Sequence, residues 1–184
     1  MAELETLEPC AGLGLPLALG RCRLVALPQA QITEIQPFPG RMAAVNAVLQ
    51  PLGLRFPAPG ESLTRGGQRL CWAGRETAFL LGGAAPAGLS AHAAVRDQSD
   101  GWAGLRLEGG DCVDVLARLV PLDLRQASFA SGRCVRAPLN HVPALFMRVS
   151  GQAFDILVFR SMVGTAVEEL TGAMRGVAAR RPLG

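Results

Sequence analysis

Few side chains in this sequence could carry out chemistry, and the clearest group of them lies in one polar turn. Asp97-Gln98-Ser99-Asp100-Gly101 holds two carboxylates that could act together on a ligand. Asp, Ser and Gly are also the residues that turns favour, because they bond the local backbone or permit positive φ. A structural turn is therefore the favoured interpretation. Asp123 likewise has a local explanation, since it could cap a turn or pair with Arg125.

The usual partners for catalysis are scarce. His92 and His141 are the two histidines of the chain, and it contains no H-E-x-x-H, G-x-S-x-G or phosphate-loop motif. His141 lies in a turn between two predicted strands with no identifiable partner, which favours a structural or surface histidine. The glycine-rich segment 82–88 contains Pro86 and lacks the phosphate-loop pattern, so it reads as a plain loop. We predict no catalytic residue, and a self-sufficient enzyme is disfavoured.

The cysteines do not form a metal or disulfide pattern. They number five, at positions 10, 22, 71, 112 and 134, and include no C-x-x-C pair. Cys71 and Cys112 lie inside apolar patterns, where a free thiol behaves as a small hydrophobic side chain. An odd, scattered set argues against both a disulfide framework and a zinc site. We therefore predict no metal ligand and no bound metal.

Composition excludes two classes of partner. The formal net charge is +3 over 184 residues, and every basic residue is an arginine, spread thinly along the chain. Nucleic-acid binding normally needs a clustered basic face with interleaved aromatics, so we predict no nucleic-acid partner. The apolar stretches fall short of the ~20 residues that cross a bilayer, and the N-terminus is acidic rather than basic. A cytoplasmic protein without membrane contact is expected.

The segment 102–125 predicts a strand, a turn and a helix that must pack together. Ala103, Leu105 and Leu107 alternate with polar or small residues, which is the period of a half-buried strand. Gly109-Gly110 ends the strand and Asp111 is placed to cap a helix. That helix would end at Pro121, because proline prevents its extension. The residues on its buried face would be Val113, Leu116, Ala117 and Val120.

The rest of the chain repeats this alternation of strands and helices. Strands are predicted at 23–27, 31–38, 68–73, 77–81, 91–95, 134–139, 144–149 and 153–159, and helices at 40–50 and after Ser161, which could cap the last one. The strand 153–159 is apolar on both faces, apart from Asp155, which predicts an interior position in a sheet. A turn-rich connector is expected at 57–67.

The length fits one domain of ordinary size or two small lobes that share a core. An N-terminal arm at 1–20 is too apolar for a solvated tail, so we expect it to pack on another surface, such as a partner chain. The domain itself covers 21–176, which two β–α lobes at 21–90 and 91–176 could share. A short tail covers 177–184.

The assembled C-terminal half resembles a known family. Five segments carry the resemblance: V-R-D-Q-S-D-G-W (95–102), L-R-L-E-G-G-D (105–111), V-L-A-R-L-V-P-L-D-L (115–124), N-H-V-P-A-L (140–145) and F-D-I-L-V-F-R-S (154–161). In order and spacing they are similar to the gamma subunit of heterotetrameric sarcosine oxidase. The similarity covers residues 20–175 and is strongest from Val95 onward.

The resemblance implies a fold, a complex and its cofactors. The fold is α+β, with antiparallel or mixed sheets, packed helices and β-α-β type units, like the N-terminal folate-binding aminomethyltransferase domain. The complex oxidatively demethylates sarcosine to glycine, forming hydrogen peroxide and formaldehyde or 5,10-methylenetetrahydrofolate, a reaction of sarcosine catabolism and one-carbon metabolism. FAD, FMN, NAD, tetrahydrofolate and zinc are expected on the alpha, beta and delta partner subunits, and no cofactor on this chain. The gamma subunit brings no catalytic residue to carry over.

Two alternatives remain open. The chain could be a stand-alone folate-binding protein of the aminomethyltransferase type, with Asp97, Ser99 and Asp123 as candidate polar contacts. It could also be a subunit of a related complex that acts on another N-methyl amine. The sequence does not separate these substrates, because the substrate site would lie on another chain.

Overall fold

The computed structural model describes residues 7–180, which form two antiparallel sheets with helices on their outer faces. The first sheet has six strands in the order β1-β2-β8-β11-β10-β9. Their bounds are β1 Leu17–Leu19, β2 Cys22–Ala26, β8 Trp102–Gly109, β9 Cys134–Leu139, β10 Val142–Ser150 and β11 Ala153–Phe159.

The second sheet has five strands in the order β4-β5-β6-β3-β7. Their bounds are β3 Ile32–Pro37, β4 Ser62–Arg65, β5 Gln68–Gly74, β6 Thr77–Leu81 and β7 Ala93–Asp97. The α-helices are α1 Met42–Leu49, α2 Cys112–Leu116 and α3 Val163–Ala178. Antiparallel sheets with packed helices confirm the predicted α+β class.

Three apolar cores hold four layers together. The largest lies between the six-stranded sheet and helices α2 and α3. A second lies between the two sheets, and a third lies between the five-stranded sheet and α1. The order of layers is therefore helices, six-stranded sheet, five-stranded sheet and helix. Since both sheets are covered on both faces, polar residues on their inner faces need partners within the protein.

The two strands with the clearest patterns fold as predicted. In β8, Ala103, Leu105 and Leu107 are buried while the residues between them are half-buried. The predicted strand 153–159 coincides with β11, which lies between β8 and β10 and is buried from Ala153 to Val158. The inter-sheet core on one side and the helix-facing core on the other explain its two apolar faces.

Both later helices differ from the prediction in detail. Helix α2 ends at Leu116, so its buried side is Cys112, Val115 and Leu116, whereas Ala117 is exposed. The predicted cap of α3 is wrong: the chain enters that helix through a 3-10 turn at 160–162, which makes Met162 the N-cap and leaves Ser161 exposed. The turn already directs the backbone into the helix, without a capping side chain.

Two short strands were not predicted. β4 lies inside the expected connector, and β1 lies inside the expected arm. Each is flanked by glycine or proline and pairs with the strand that follows it in the sequence, β1 with β2 and β4 with β5. The described part of the arm also packs on this chain itself, since Cys10, Leu13 and Leu15 contact the large core.

The two sheets exchange strands between the halves of the chain. β2 comes from the first half and pairs with β8, while β7 comes from the second half and pairs with β3. The division into lobes at 21–90 and 91–176 stays a prediction, as do the bounds of the arm and the tail. Within residues 7–180, no helix combines the length and apolar character needed to span a bilayer.

Candidate functional site

A cavity of about 670 Å³ opens between the two sheets. The six-stranded sheet contributes Trp102 and Leu157 to its wall, and the five-stranded sheet contributes Ile32 and Leu81. These residues point inward because alternate side chains of a strand share one face. The volume lies in the ~300–1,000 Å³ range of small-molecule sites. Its walls would suit the apolar surface of an organic ligand.

The mouth of the cavity is formed by irregular segments. Glu8, Cys10 and Leu15 come from the N-terminal segment, and residues 27–30 come from the link between β2 and β3. Gly104 in β8 leaves room for this link, because a Cβ there would lie 3.1 Å from Leu27 Cβ. The N-terminal segment therefore takes part in the site as well as in the core.

The polar end of the cavity is built around Asp155. Its carboxylate is 5% exposed and accepts a hydrogen bond of 2.8 Å from Nη1 of Arg69. Arg106 donates two more bonds, from Nε at 2.6 Å and from Nη2 at 3.1 Å. The strands β5, β8 and β11 each supply one of the three residues. An aspartate can stay on this buried face because two guanidinium groups compensate its charge.

The charges at this end do not cancel. Two arginines and one aspartate give a net charge of +1, and the hydrogen bond from Arg106 to Asp155 raises the pKa of Arg106. Arg69 and Asp155 both line the cavity. Nε of Arg69 lies 3.4 Å from Thr64 Oγ1, and among residues 7–180 its Nη2 has no hydrogen-bond acceptor. This nitrogen can donate to an anionic group on a mainly apolar ligand, while the Glu8 carboxylate places a further negative charge in the same lining.

The residues proposed from sequence lie elsewhere. Ser99 donates a 2.6 Å hydrogen bond from Oγ to Asp97, and its Oγ accepts a bond of 3.0 Å from the backbone N–H of Ile32. The bonds from the side chain and backbone of Ser99 lower the pKa of Asp97. These contacts close the turn between β7 and β8. Neither residue lines the cavity, and their roles as ligand contacts stay predictions.

Asp123 forms a second local network at the surface. It accepts bonds of 2.8 and 2.7 Å from the Arg125 guanidinium and of 2.7 Å from Ser128 Oγ. The Arg125 side chain, followed by Ser128, holds the pKa of this carboxyl well below its usual range. The pairing with Arg125 is as expected, and the network is remote from the cavity lining.

One signal in the sequence pointed to the real polar end. Asp155 interrupts a strand that is otherwise apolar on both faces, and such a carboxylate must find buried partners. No local pattern identifies those partners, since Arg69 and Arg106 are 86 and 49 positions away. Sequence reasoning therefore had grounds to select Asp155 but not the whole cluster.

The remaining chemistry-bearing side chains are dispersed. Desolvation raises the pKa of the buried thiols, to about 11 for Cys22 and Cys134, and leaves them protonated. Within the described chain, no three His, Cys, Asp or Glu residues are grouped so that they could hold a metal. His92 and His141 do not line the cavity. The expectation of no metal and no cofactor on this chain stays a prediction.

Comparison with known proteins finds a similar chain of almost the same extent. A chain of the heterotetrameric sarcosine oxidase from Corynebacterium sp. U-96, solved in complex with pyrrole 2-carboxylate, superposes with a TM-score of 0.83 at 26% identity, covering 96% of this chain and 98% of that chain. No protein-family model matches this sequence, and no curated protein matches it either.

A second structure shares the fold alone. The glycine cleavage system aminomethyltransferase T from Bartonella henselae has a TM-score of 0.57 and 14% identity, covering 85% of this chain and 47% of that chain. The match thus spans about half of the transferase. The predicted resemblance is confirmed: this chain is similar over nearly its whole length to a chain of heterotetrameric sarcosine oxidase and has an aminomethyltransferase-like fold.

Proposed function

We propose that this chain is a non-catalytic structural subunit, the gamma subunit, of a heterotetrameric sarcosine oxidase complex. The observation that carries the proposal is the end-to-end match, in which 96% of this chain and 98% of the sarcosine oxidase chain superpose. A match of that extent favours an equivalent whole subunit over a shared module. The complex would demethylate sarcosine to glycine, with hydrogen peroxide and formaldehyde or 5,10-methylenetetrahydrofolate as further products.

The distribution of polar groups supports a non-catalytic role. Oxidative demethylation needs a redox cofactor and positioned acids or bases. In the cavity, the described polar residues are Arg69 and Asp155, joined in an ion pair, together with Glu8, Gln29 and Thr64 at other points of the lining. FAD, FMN, NAD, tetrahydrofolate and zinc would belong to the alpha, beta and delta subunits.

Co-expression tests this proposal. The chain would be produced with candidate alpha, beta and delta subunits and separated by size-exclusion chromatography, with flavin absorbance and sarcosine oxidation measured across the eluate. We expect it to co-elute with a yellow, sarcosine-oxidising assembly, and we expect an expression lacking this chain to lose assembly or stability. If the chain instead elutes as a colourless monomer, separate from those subunits, the subunit role is excluded. Other N-methyl amines, assayed on the same fractions, distinguish a related complex.

The cavity favours a second candidate, a stand-alone folate-binding protein. Its volume of about 670 Å³, its apolar walls and the Arg69 Nη2 group that Asp155 does not engage suit a planar ligand with an acidic tail. Cys10 lines the mouth and is half-buried, so its alkylation rate reports on occupancy. If folate binds there, saturating folate should slow Cys10 alkylation severalfold in the isolated chain, and Arg69→Gln should weaken that protection. The exposed variant Arg75→Gln is the control, and unchanged alkylation would exclude the candidate.

A further inference from the structure

Trp102 lies in a row of apolar residues that crosses four strands at one end of the six-stranded sheet. Trp102 in β8 pairs with Phe159 in β11, and Pro143 in β10 pairs with Pro138 in β9. The pairing of Ala144 with Val158 sets Phe159 beside Pro143. Residues opposite one another in neighbouring strands point to the same face. The four side chains therefore form one continuous strip.

This strip is open to solvent along most of its length. Phe159 is 39% exposed although its ring contacts that of Trp102, with centroids 4.6 Å apart and the rings tilted by 32°, and both prolines are exposed. A groove of about 350 Å³ follows the strip and is lined also by Arg136. We call this surface, made of Trp102, Arg136, Pro138, Pro143 and Phe159, the Phe159 groove. An exposed aromatic beside a preformed groove is typical of a protein interface.

Arg136 gives the groove its charge. Its guanidinium lies 5.3 Å from the centroid of the Trp102 ring and 5.8 Å from that of Phe79, so two cation–π contacts hold it in place. Among residues 7–180, no carboxylate lies within salt-bridge distance of it.

The acid in the adjoining cleft is already engaged. Glu34 lines that cleft together with Arg136, but it accepts hydrogen bonds from Arg96 at 3.3 Å and from Gln98 at 2.8 Å. The described part of the chain thus presents a cation beside an aromatic surface and offers it no counter-ion. A partner that covered Phe159 would desolvate this cation, and only a partner with a matching negative charge avoids that cost.

The strand edge restricts how a partner binds. β9 is one of the two edge strands of the six-stranded sheet, and Pro138 has no N–H to offer an added strand. Contact by side chains is therefore favoured over extension of the sheet.

We propose that the Phe159 groove binds a segment of another subunit of the sarcosine-oxidase-type complex, and that this segment presents a carboxylate next to an apolar side chain. The carboxylate pairs with Arg136, and the apolar side chain covers Phe159 and the two prolines. This inference rests on the proposed function, and it adds where the subunit is held and by what chemistry.

Affinity measurements test the groove. The four-subunit complex carrying a tagged wild-type copy of this chain would be incubated with purified variant chain, and the concentration that displaces half of the tagged copy gives the relative affinity. Circular dichroism confirms that each variant is folded. Arg136→Glu should weaken binding by about 50-fold and Phe159→Ser by about tenfold, as expected for central interface residues. Two controls carry matched changes on the far layer, Arg41→Glu and Phe38→Ser, where Phe38 is 44% exposed, and should change affinity less than about twofold. Wild-type affinity should fall with added salt, and Arg136→Met should reduce that dependence.

Cross-linking identifies the occupant. With a photo-reactive phenylalanine analogue at position 138 of the assembled complex, the cross-linked peptide should come from another subunit and contain Asp or Glu beside an apolar residue. The groove proposal would be overturned if the cross-linked peptide contained no acid or came from a second copy of this chain. It would also be overturned if the variants bound as tightly as the wild type. Either result would leave the subunit proposal intact. If the wild-type chain itself does not bind the other subunits, the proposed function fails and the groove proposal falls with it.

Discussion

The six-stranded sheet buries two charged side chains on neighbouring strands, and the two have different kinds of partner. Asp155 in β11 is compensated by two guanidinium groups and lines an open cavity. Arg148 in β10 is 2% exposed and is bonded to backbone carbonyl groups, with Nη1 2.7 Å from Gly151 O and Nη2 donating to Leu124 O. Its guanidinium carbon also lies 4.4 Å from the centroid of the Phe154 ring.

This difference separates a structural charge from one that can meet a ligand. Burial lowers the pKa of Arg148, so this cation carries a desolvation cost within the fold. Its hydrogen bonds hold two loops, at Leu124 and at Gly151, against strand β10. Asp155 instead leaves part of the Arg69 guanidinium available to the cavity. We therefore expect changes at Arg148 to affect stability alone, and changes at the Asp155 cluster to affect both stability and binding.

The largest effect is expected from Arg148→Met. This variant keeps the apolar stem but leaves the carbonyl oxygens of Leu124 and Gly151 without their donor. The Leu124 carbonyl is buried, and an unsatisfied buried group costs ~1–3 kcal/mol, whereas water can reach Gly151. The variant also loses the cation–π contact with Phe154, so the free energy of unfolding should fall by about 3 kcal/mol. Urea unfolding measures it, with the exposed Arg75→Met as control. A loss below about 1 kcal/mol would show that the loops hold without this cation.

Asp155→Asn should have a smaller effect on stability and an opposite effect on binding. Removing the carboxylate leaves two cations facing each other, which costs about 2–3 kcal/mol, below the value for a fully buried pair because Arg69 and Arg106 are 20% and 34% exposed. The polar end of the cavity becomes more positive. An apolar anion such as anilinonaphthalene sulfonate should therefore bind more tightly.

Arg69→Gln provides the opposite test of the cavity. It removes one positive charge from the lining, so the same dye should bind more weakly than to the wild type. Near-ultraviolet circular dichroism must show native packing in both variants, because loosened proteins also bind such dyes. If both variants bind the dye with the wild-type affinity, the Asp155 cluster is structural in the same sense as Arg148.

Local patterns predicted the parts of this fold that local chemistry determines. The strand 153–159 was placed at its observed bounds because its apolar residues on both faces end at turn residues. The two shortest strands, β1 and β4, were missed because 3 and 4 residues beside glycines carry no period and form only by pairing. The sheet in which β2 or β7 lies depends on partners far along the chain.

The candidate site follows the same logic. Asp97, Ser99 and Asp123 are candidates in the sequence because they are polar residues in loops, yet in the structure each is engaged by side chains within five positions. The cavity is made by residues that look like core, such as Trp102 and Leu157, from strands distant in sequence. Arg136 likewise gives no signal by itself, since its importance lies in the rings beneath it. The site is formed by contacts between strands that are distant in sequence. The periodicity of a single sequence shows which residues are buried but not which strands lie next to each other.

Asp123 provides the smallest and most specific test of the comparison, because it precedes Leu124, whose carbonyl Arg148 binds. The hydrogen bonds from Arg125 and Ser128 lower the pKa of Asp123 in the folded protein, so its contribution is present above the unfolded pKa of ~4 and is lost as the pH falls through the lower folded value. The difference in urea midpoint between wild type and Asp123→Asn should therefore be largest near about pH 7 and shrink below about pH 4. In an Arg125→Gln background the same substitution should have less effect, because the partner is already lost. Dye binding in the cavity should not change; if it does, Asp123 acts on a ligand, and the division between structural and ligand-facing charges must be redrawn.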